Sequence, residues 1–238
     1  MTDKNKTEIV VIMDKSGSMA TLQNDVIGGF NSLVEDQKRQ PGDASLTLAT
    51  FDSVTDFVYL CRPIGDVEPL CACTYRPGGS TALLDAICTT IDAVGGRLAK
   101  LPEYERPGKV LVVIMTDGEE NSSIFHRLAD VRTRIEHQKT KYSWDFVYLG
   151  ANQDTFHEAG NLGINISYDW LSDSTGTKEA YTSTSGMISA YRNGNQNWQD
   201  SYTSAEVVVG AVENVTSNGF TIGSPVLVAP QPPPVDPQ

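Results

Sequence analysis

Residues 14–18 read Asp14-Lys15-Ser16-Gly17-Ser18 and directly follow the apolar run Ile9-Val10-Val11-Ile12-Met13. One carboxylate and two hydroxyls within five residues, at the C-terminal end of a buried strand, are hard oxygen donors at a density that suits a small hard cation. Two further segments supply what that cluster lacks. Gly78-Gly79-Ser80-Thr81 carries a third hydroxyl to a helix start, and Thr116-Asp117-Gly118 carries a second carboxylate to the end of another apolar run. Open parallel sheets bind ligands beyond the carboxyl ends of their strands. Asp14, Ser16, Ser18, Thr81 and Asp117 are therefore expected to meet there.

Each residue type has a reason to be present. Serine and threonine hydroxyls are neutral donors that can touch a cation directly, and two carboxylates balance a divalent charge. Mg²⁺ takes near-octahedral oxygen and keeps water readily. The expected arrangement is direct ligation by Ser16 and Ser18, with Asp14 and Asp117 holding bound waters or hydroxyls in place. Thr81 binds directly or through water. Glycines 17, 78, 79 and 118 let the backbone turn tightly around the ion. One coordination position stays open, and an incoming carboxylate would suit it.

The elements that must position these residues alternate between short apolar runs and amphipathic segments, the pattern of an α/β fold with a mainly parallel sheet. Strands are expected at Glu8–Met13, Ser45–Phe51, Lys109–Met115, Asp145–Leu149 and Ile164–Tyr168. Lys109–Met115 is the most apolar and should be central, covered on both faces. Val54–Leu60 reads as an antiparallel edge partner of Ser45–Phe51, turned through Asp52-Ser53. Helical spacing joins Leu22, Val26, Ile27, Phe30, Leu33 and Val34, a helix that Pro41-Gly42 ends. It also joins Leu84, Ile87, Ile91, Val94 and Leu98 in a helix from Ser80 or Thr81, and Ile124, Leu128, Val131 and Ile135 in another. Thr155–Leu162 and Lys178–Tyr191 complete the helices. Beyond about Gly194 the texture changes. Glu206–Val215 and Phe220–Val228 could pair through Ser217-Asn218-Gly219, and Pro230–Gln238 reads as an extended tail.

Asp14-x-Ser16-x-Ser18, then Thr81, then Thr116-Asp117-Gly118 resembles the metal-ion-dependent adhesion site of von Willebrand factor A domains. All five ligand positions are matched in order. The resemblance covers about residues 5 to 195. It implies a doubly wound, Rossmann-like, mostly parallel sheet flanked by helices, with a divalent ion at its top. It also implies a protein partner that donates an Asp or Glu to that ion. The expected organisation is a domain over 1–195, an extension over 196–229 and a flexible tail over 230–238.

Composition narrows the function classes. The chain has 238 residues, 39% of them apolar and 20% charged, as in a globular protein. A net charge of −12 opposes binding to nucleic acid or to anionic membranes. The polar start and the short first apolar run give no sign of a secretion signal or a membrane span, so a cytoplasmic location is expected, with association with a virion also open. The sequons at Asn5, Asn121, Asn165 and Asn214 then carry little weight. Cys61, Cys71, Cys73 and Cys88 fit no common zinc spacing and are expected as reduced thiols.

Competing chemistries lack their parts. No Gly-x-x-x-x-Gly-Lys-Ser/Thr precedes the strand that ends at Asp117, so a P-loop ATPase is unsupported. A phosphoryl-accepting Asp14 of the haloacid-dehalogenase type would need Asp where Ser16 stands. No Gly-x-Ser-x-Gly elbow is present. His126, His137 and His157 read as surface or packing residues, Glu119 and Glu120 as solvated first-turn carboxylates, and Arg127, Arg134 and Lys141 as a solvated face. Trp144, Trp170 and Trp198 read as packing residues. The expectation is a metal-dependent protein-binding module and not an enzyme. A regulatory adaptor for an ATPase or stress-response assembly is an alternative, and a metal-dependent hydrolase or phosphotransferase a remote one. Mg²⁺ is the expected ion, with Mn²⁺ or Ca²⁺ possible.

Overall fold

The computed structural model describes residues 1–151 and 154–202. The expected hairpin at 206–228 and the Pro-rich tail lie outside these residues. In chain order the elements are β1 (Asp3–Asp14), α1 (Gln23–Lys38), β2 (Asp43–Phe51), β3 (Thr55–Pro63), α2 (Leu83–Ala99), β4 (Pro107–Thr116), α3 (Leu128–Tyr142), β5 (Asp145–Ala151), α4 (Thr155–Leu162), β6 (Ser167–Trp170) and α5 (Ser174–Arg192). The six strands form one sheet in the order β3-β2-β1-β4-β5-β6. All neighbours are parallel except the antiparallel pair β2–β3 at one edge. This is the doubly wound α/β architecture expected from the sequence.

β1 and β4 lie at the centre and read as continuous apolar runs because each buries both faces. Ile9, Val11 and Met13 pack with Leu111, Val113 and Met115 in the core shared with α1 and α5. Val10 and Ile12 pack with Val110, Val112 and Ile114 in a second core with α2, α3 and α4. Each fully buried Ile or Leu contributes roughly 1.5–3 kcal/mol. α1 and α5 approach so closely at Gly29 that a Cβ there would stand 2.5 Å from Cδ2 of Tyr181. Packing continues through Tyr202, whose ring stacks on Tyr168 at 4.1 Å. Trp144, Trp170 and Trp198 are buried, as expected. Among the described residues no helix is long and apolar enough to cross a membrane.

Several local expectations are corrected. α2 starts at Leu83, because the Thr81 carbonyl accepts the Asn121 amide and the first helical bond runs from the Ala86 amide to the Ala82 carbonyl. Ile124 lies outside α3 in a loop and is 82% exposed. The backbone there bonds to a side chain of α2 and not to a helical turn of its own. Ile164 is buried as a loop residue, and β6 begins three residues later at Ser167, where pairing with Tyr148 starts.

The cysteines differ as well. Cys61 and Cys88 are free, but Cys71 and Cys73 form a disulfide. A tight turn, closed by the amides of Thr74 and Tyr75 on the Cys71 carbonyl, sets their Cα atoms 5.2 Å apart, within disulfide reach. Spacing alone did not reveal that turn.

Candidate metal centre

β1 and β4 are adjacent and parallel, and they end at Asp14 and Thr116. The chain leaves these two ends toward opposite faces of the sheet, which opens a crevice at the point where strand order reverses. Asp14 is fully buried there. Its Oδ1 accepts the Ser16 amide at 2.6 Å, and its Oδ2 accepts the Thr116 hydroxyl at 2.6 Å. Its carbonyl accepts the Tyr75 hydroxyl at 2.6 Å. Burial pushes the Asp14 carboxyl above its ordinary value, against the pull of the Thr116 and Ser16 donors, and the nearby Asp117 charge adds to the rise.

The other donors converge on the same crevice. Ser16 Oγ lies 3.1 Å from Ser18 Oγ, and Ser18 Oγ donates to Asp117 Oδ1 at 2.7 Å. The Ser18 proton goes to Asp117, and the Ser16 hydroxyl lies within reach of both Ser18 and the Asp14 carboxylate. The lone pairs of Ser16 Oγ are left for another partner. Thr81 is buried, and its backbone exchanges two bonds with Asn121, at 2.9 Å to the side chain and 3.0 Å from the amide. A Cβ on Gly118 would stand 3.5 Å from Thr81 Oγ1 and 3.9 Å from Ser18 Oγ, so both hydroxyls flank this glycine. Gly79 has φ +73°, and a Cβ there would lie 3.0 Å from Ser53 Oγ. Only glycine takes that turn without strain. It lets the Gly79 carbonyl meet the Gly17 amide at 3.2 Å, which ties the Thr81 segment to the first loop. Lys15 turns away, paired with Asp52 at 2.8 Å and Asp56 at 3.2 Å, so its charge does not enter the crevice.

All five residues singled out by the sequence are thus brought together. Among the described residues no group of three His, Cys, Asp or Glu side chains could hold a metal. The set here is two carboxylates and three hydroxyls, oxygen only, which suits Mg²⁺, Mn²⁺ or Ca²⁺ over softer ions. The donor chemistry and the glycine-lined crevice fit such a cation.

Sequence reasoning missed the residues that hold this set in place. Glu120 is not a solvated carboxylate. Its Oε2 accepts the Leu84 amide at 2.9 Å, and its Oε1 accepts the Ser122 and Ser123 amides at 2.9 and 2.7 Å. It therefore caps α2 from the loop after β4, where the positive end of the helix favours a carboxylate. Asp85 answers from α2. It accepts the amides of Ile124, Phe125 and His126 at 2.8, 3.1 and 2.8 Å, and lies 2.9 Å from His126 Nδ1. Burial alone would raise the Asp85 carboxyl, but the amides of Ile124 and Phe125 outweigh it and hold the group below its ordinary value. These partners lie about forty residues apart, and no local pattern announces them.

No family profile and no curated protein matches the sequence. Solved structures do resemble the fold. Proximal thread matrix protein 1 from the mussel byssus aligns at 13% identity over 78% of this chain and 49% of that one, with a TM-score of 0.54. The same protein with a zinc-occupied MIDAS motif (the metal-ion-dependent adhesion site) aligns at 15% identity over 77% and 46%, with a TM-score of 0.52. A von Willebrand factor type A protein from Catenulispora acidiphila aligns at 14% identity over 76% and 42%, with a TM-score of 0.51. The chain spans about half the length of these proteins or less. The likeness shows the fold, which is that of the von Willebrand factor A domain.

Proposed function

We propose that this chain is a metal-dependent protein-binding module that holds a divalent cation through Asp14, Ser16, Ser18, Thr81 and Asp117 and captures an Asp or Glu side chain of a protein partner. The observation that carries this reading is the convergence of the Ser16 and Ser18 hydroxyls and the Asp117 carboxylate in one hydrogen-bonded cluster, beside the buried carboxylate of Asp14. When bound, the cation supplies an electrophilic centre with one position for a partner's carboxylate. Ser16 and Ser18 hold their oxygens toward the crevice, and Asp117 fixes the Ser18 hydroxyl. Thr116 and the Ser16 amide keep Asp14 oriented. Asn121 holds the backbone of Thr81.

The mussel protein with zinc in its MIDAS motif supports the cation reading for a shared fold. The present donor set has no nitrogen or sulfur, so Mg²⁺ is the ion proposed here, with Mn²⁺ or Ca²⁺ as the alternatives. Binding is favoured over catalysis because the polar groups of the crevice are bonded to one another, and His126 is engaged with Asp85 away from the donors. The test is capture of a carboxylate-bearing partner on the immobilised chain. Capture should need Mg²⁺, reverse in EDTA and disappear in Asp14→Ala and Ser16→Ala while the fold persists. Capture that is unchanged in EDTA would contradict the proposal.

A further inference from the structure

The reading above makes no use of the turn at residues 71–74, which stands on the loop between β3 and α2 and carries the disulfide. Leu70 and Tyr75 flank it and are buried. Leu70 exchanges two bonds with Asn31 of α1, at 2.7 and 3.0 Å. Gln23 donates to the Tyr75 carbonyl at 2.8 Å, and the Tyr75 hydroxyl reaches the Asp14 carbonyl. The turn is therefore clamped on both sides by groups other than sulfur. A disulfide constrains the unfolded chain more as it encloses more residues. This one encloses a single residue, so its contribution to stability is small.

Its surroundings favour reaction. Cys73 is exposed and Cys71 half-buried. The Thr74 hydroxyl donates to the Cys71 carbonyl at 3.1 Å and accepts the Cys71 amide at 3.0 Å, so it holds the turn in place. Arg76 Nε donates to the Ala72 carbonyl at 3.3 Å, which brings the guanidinium to the same turn. A cation at this place stabilises negative charge released on a sulfur.

We propose that Cys71–Cys73 is a reversible thiol–disulfide exchange site, with Cys73 the sulfur attacked by an incoming small thiol and Cys71 the leaving group. The incoming thiolate forms a bond to Cys73 Sγ. The Cys71–Cys73 bond breaks, and its electron pair goes to Cys71 Sγ, which takes a proton from water. A second thiolate then attacks the outer sulfur of the mixed disulfide and releases Cys73. Two small thiols are oxidised to one disulfide, and the protein gains two thiols. An excess of the small-molecule disulfide runs the steps backward.

The test uses the full chain carrying Cys61→Ala, so that the half-buried thiol at 61 does not report. Cys88 is buried, and burial pushes its thiol up to about 12, which keeps it silent in the native protein. The chain is equilibrated with glutathione buffers of varied ratio, and thiols are counted without denaturant. Two thiols should appear and disappear together as the ratio changes. Adding Cys71→Ser should leave Cys73 as the residue that takes up glutathione. Arg76→Gln should slow reduction several-fold with the unfolding midpoint unchanged. A bond that resists glutathione and dithiothreitol until the protein is denatured would overturn the proposal, as would two thiols that never close. A wild-type rate in Arg76→Gln would overturn the part given to that cation, and glutathione taken up at Cys71 before Cys73 would overturn the assignment of Cys71 as leaving group.

Discussion

Thr116 Oγ1 donates to Asp14 Oδ2 at 2.6 Å and so joins the ends of two adjacent parallel strands, 102 residues apart in the chain. The same hydroxyl oxygen accepts the Gly118 amide at 3.2 Å. One side chain thereby fixes both the carboxylate of the first loop and the start of the loop that carries Asp117. Thr116→Val keeps the β-branched shape and removes this donor from a buried carboxylate. The expected loss is about 1.5–3 kcal/mol in urea unfolding, the range for hydrogen bonds to charged groups, together with weaker cation binding. An unchanged midpoint and an unchanged affinity would contradict that role.

Asp14 gives the metal-free protein a defined pH dependence. Its folded carboxyl sits above the ordinary value of 3.8 because it is buried. The folded state therefore holds the proton more tightly than the unfolded chain does. The stabilising contribution is full below the unfolded value and is lost as pH rises through the folded one. In EDTA, Asp14→Asn should gain on the wild type as pH is raised from about 4 to about 7. Saturating Mg²⁺ should favour the wild type, since the cation needs the charged form. Denaturation curves of the two proteins that stay parallel across this window would count against the account.

Asp85 works in the opposite sense. Its carboxyl is held below the ordinary value, so its contribution is present above the unfolded value and is lost as pH falls through the folded one, below about pH 4. Asp85→Ala should destabilise by about 1–3 kcal/mol. It should also release the amides of Ile124, Phe125 and His126 to hydrogen exchange. Protection that persists at those three amides would show that the loop is held by something else.

Glu8 is fully buried and paired with Arg97 at the opposite end of the sheet from Asp14. Arg97→Ala leaves that carboxylate without its ion partner and is expected to lower stability by about 3–5 kcal/mol. Replacing both residues by Met should recover most of the loss, because the buried charge is then gone too. Equal losses in the single and the double variant, read by urea denaturation, would contradict this.

The five donors were legible in the sequence because each sits on a short motif directly behind an apolar run, or on a Gly-Gly turn before a helix. The sheet was legible for the same reason, since β1 and β4 bury both faces and read as unbroken apolar segments. What could not be read is what holds the donors still. Glu120 and Asp85 act through backbone amides that only the tertiary fold brings near, and Asn121 meets Thr81 in the same way. Ile124 kept the helical period yet fell outside α3, because long-range bonds from Asp85 won over local pattern. The Cys71–Cys73 bond depends on a turn whose closing bonds involve Thr74 and Tyr75, and cysteine spacing does not encode that turn.

Calorimetric titration of Mg²⁺ onto the EDTA-treated chain tests the central claim most directly, with Asp14→Ala and Ser16→Ala as controls and Mn²⁺ and Ca²⁺ in parallel. The account predicts one site per chain in the wild type and none in either variant, with circular dichroism showing the same fold in all three. Binding that survives both substitutions, or a wild type that binds none of the three ions, would contradict it.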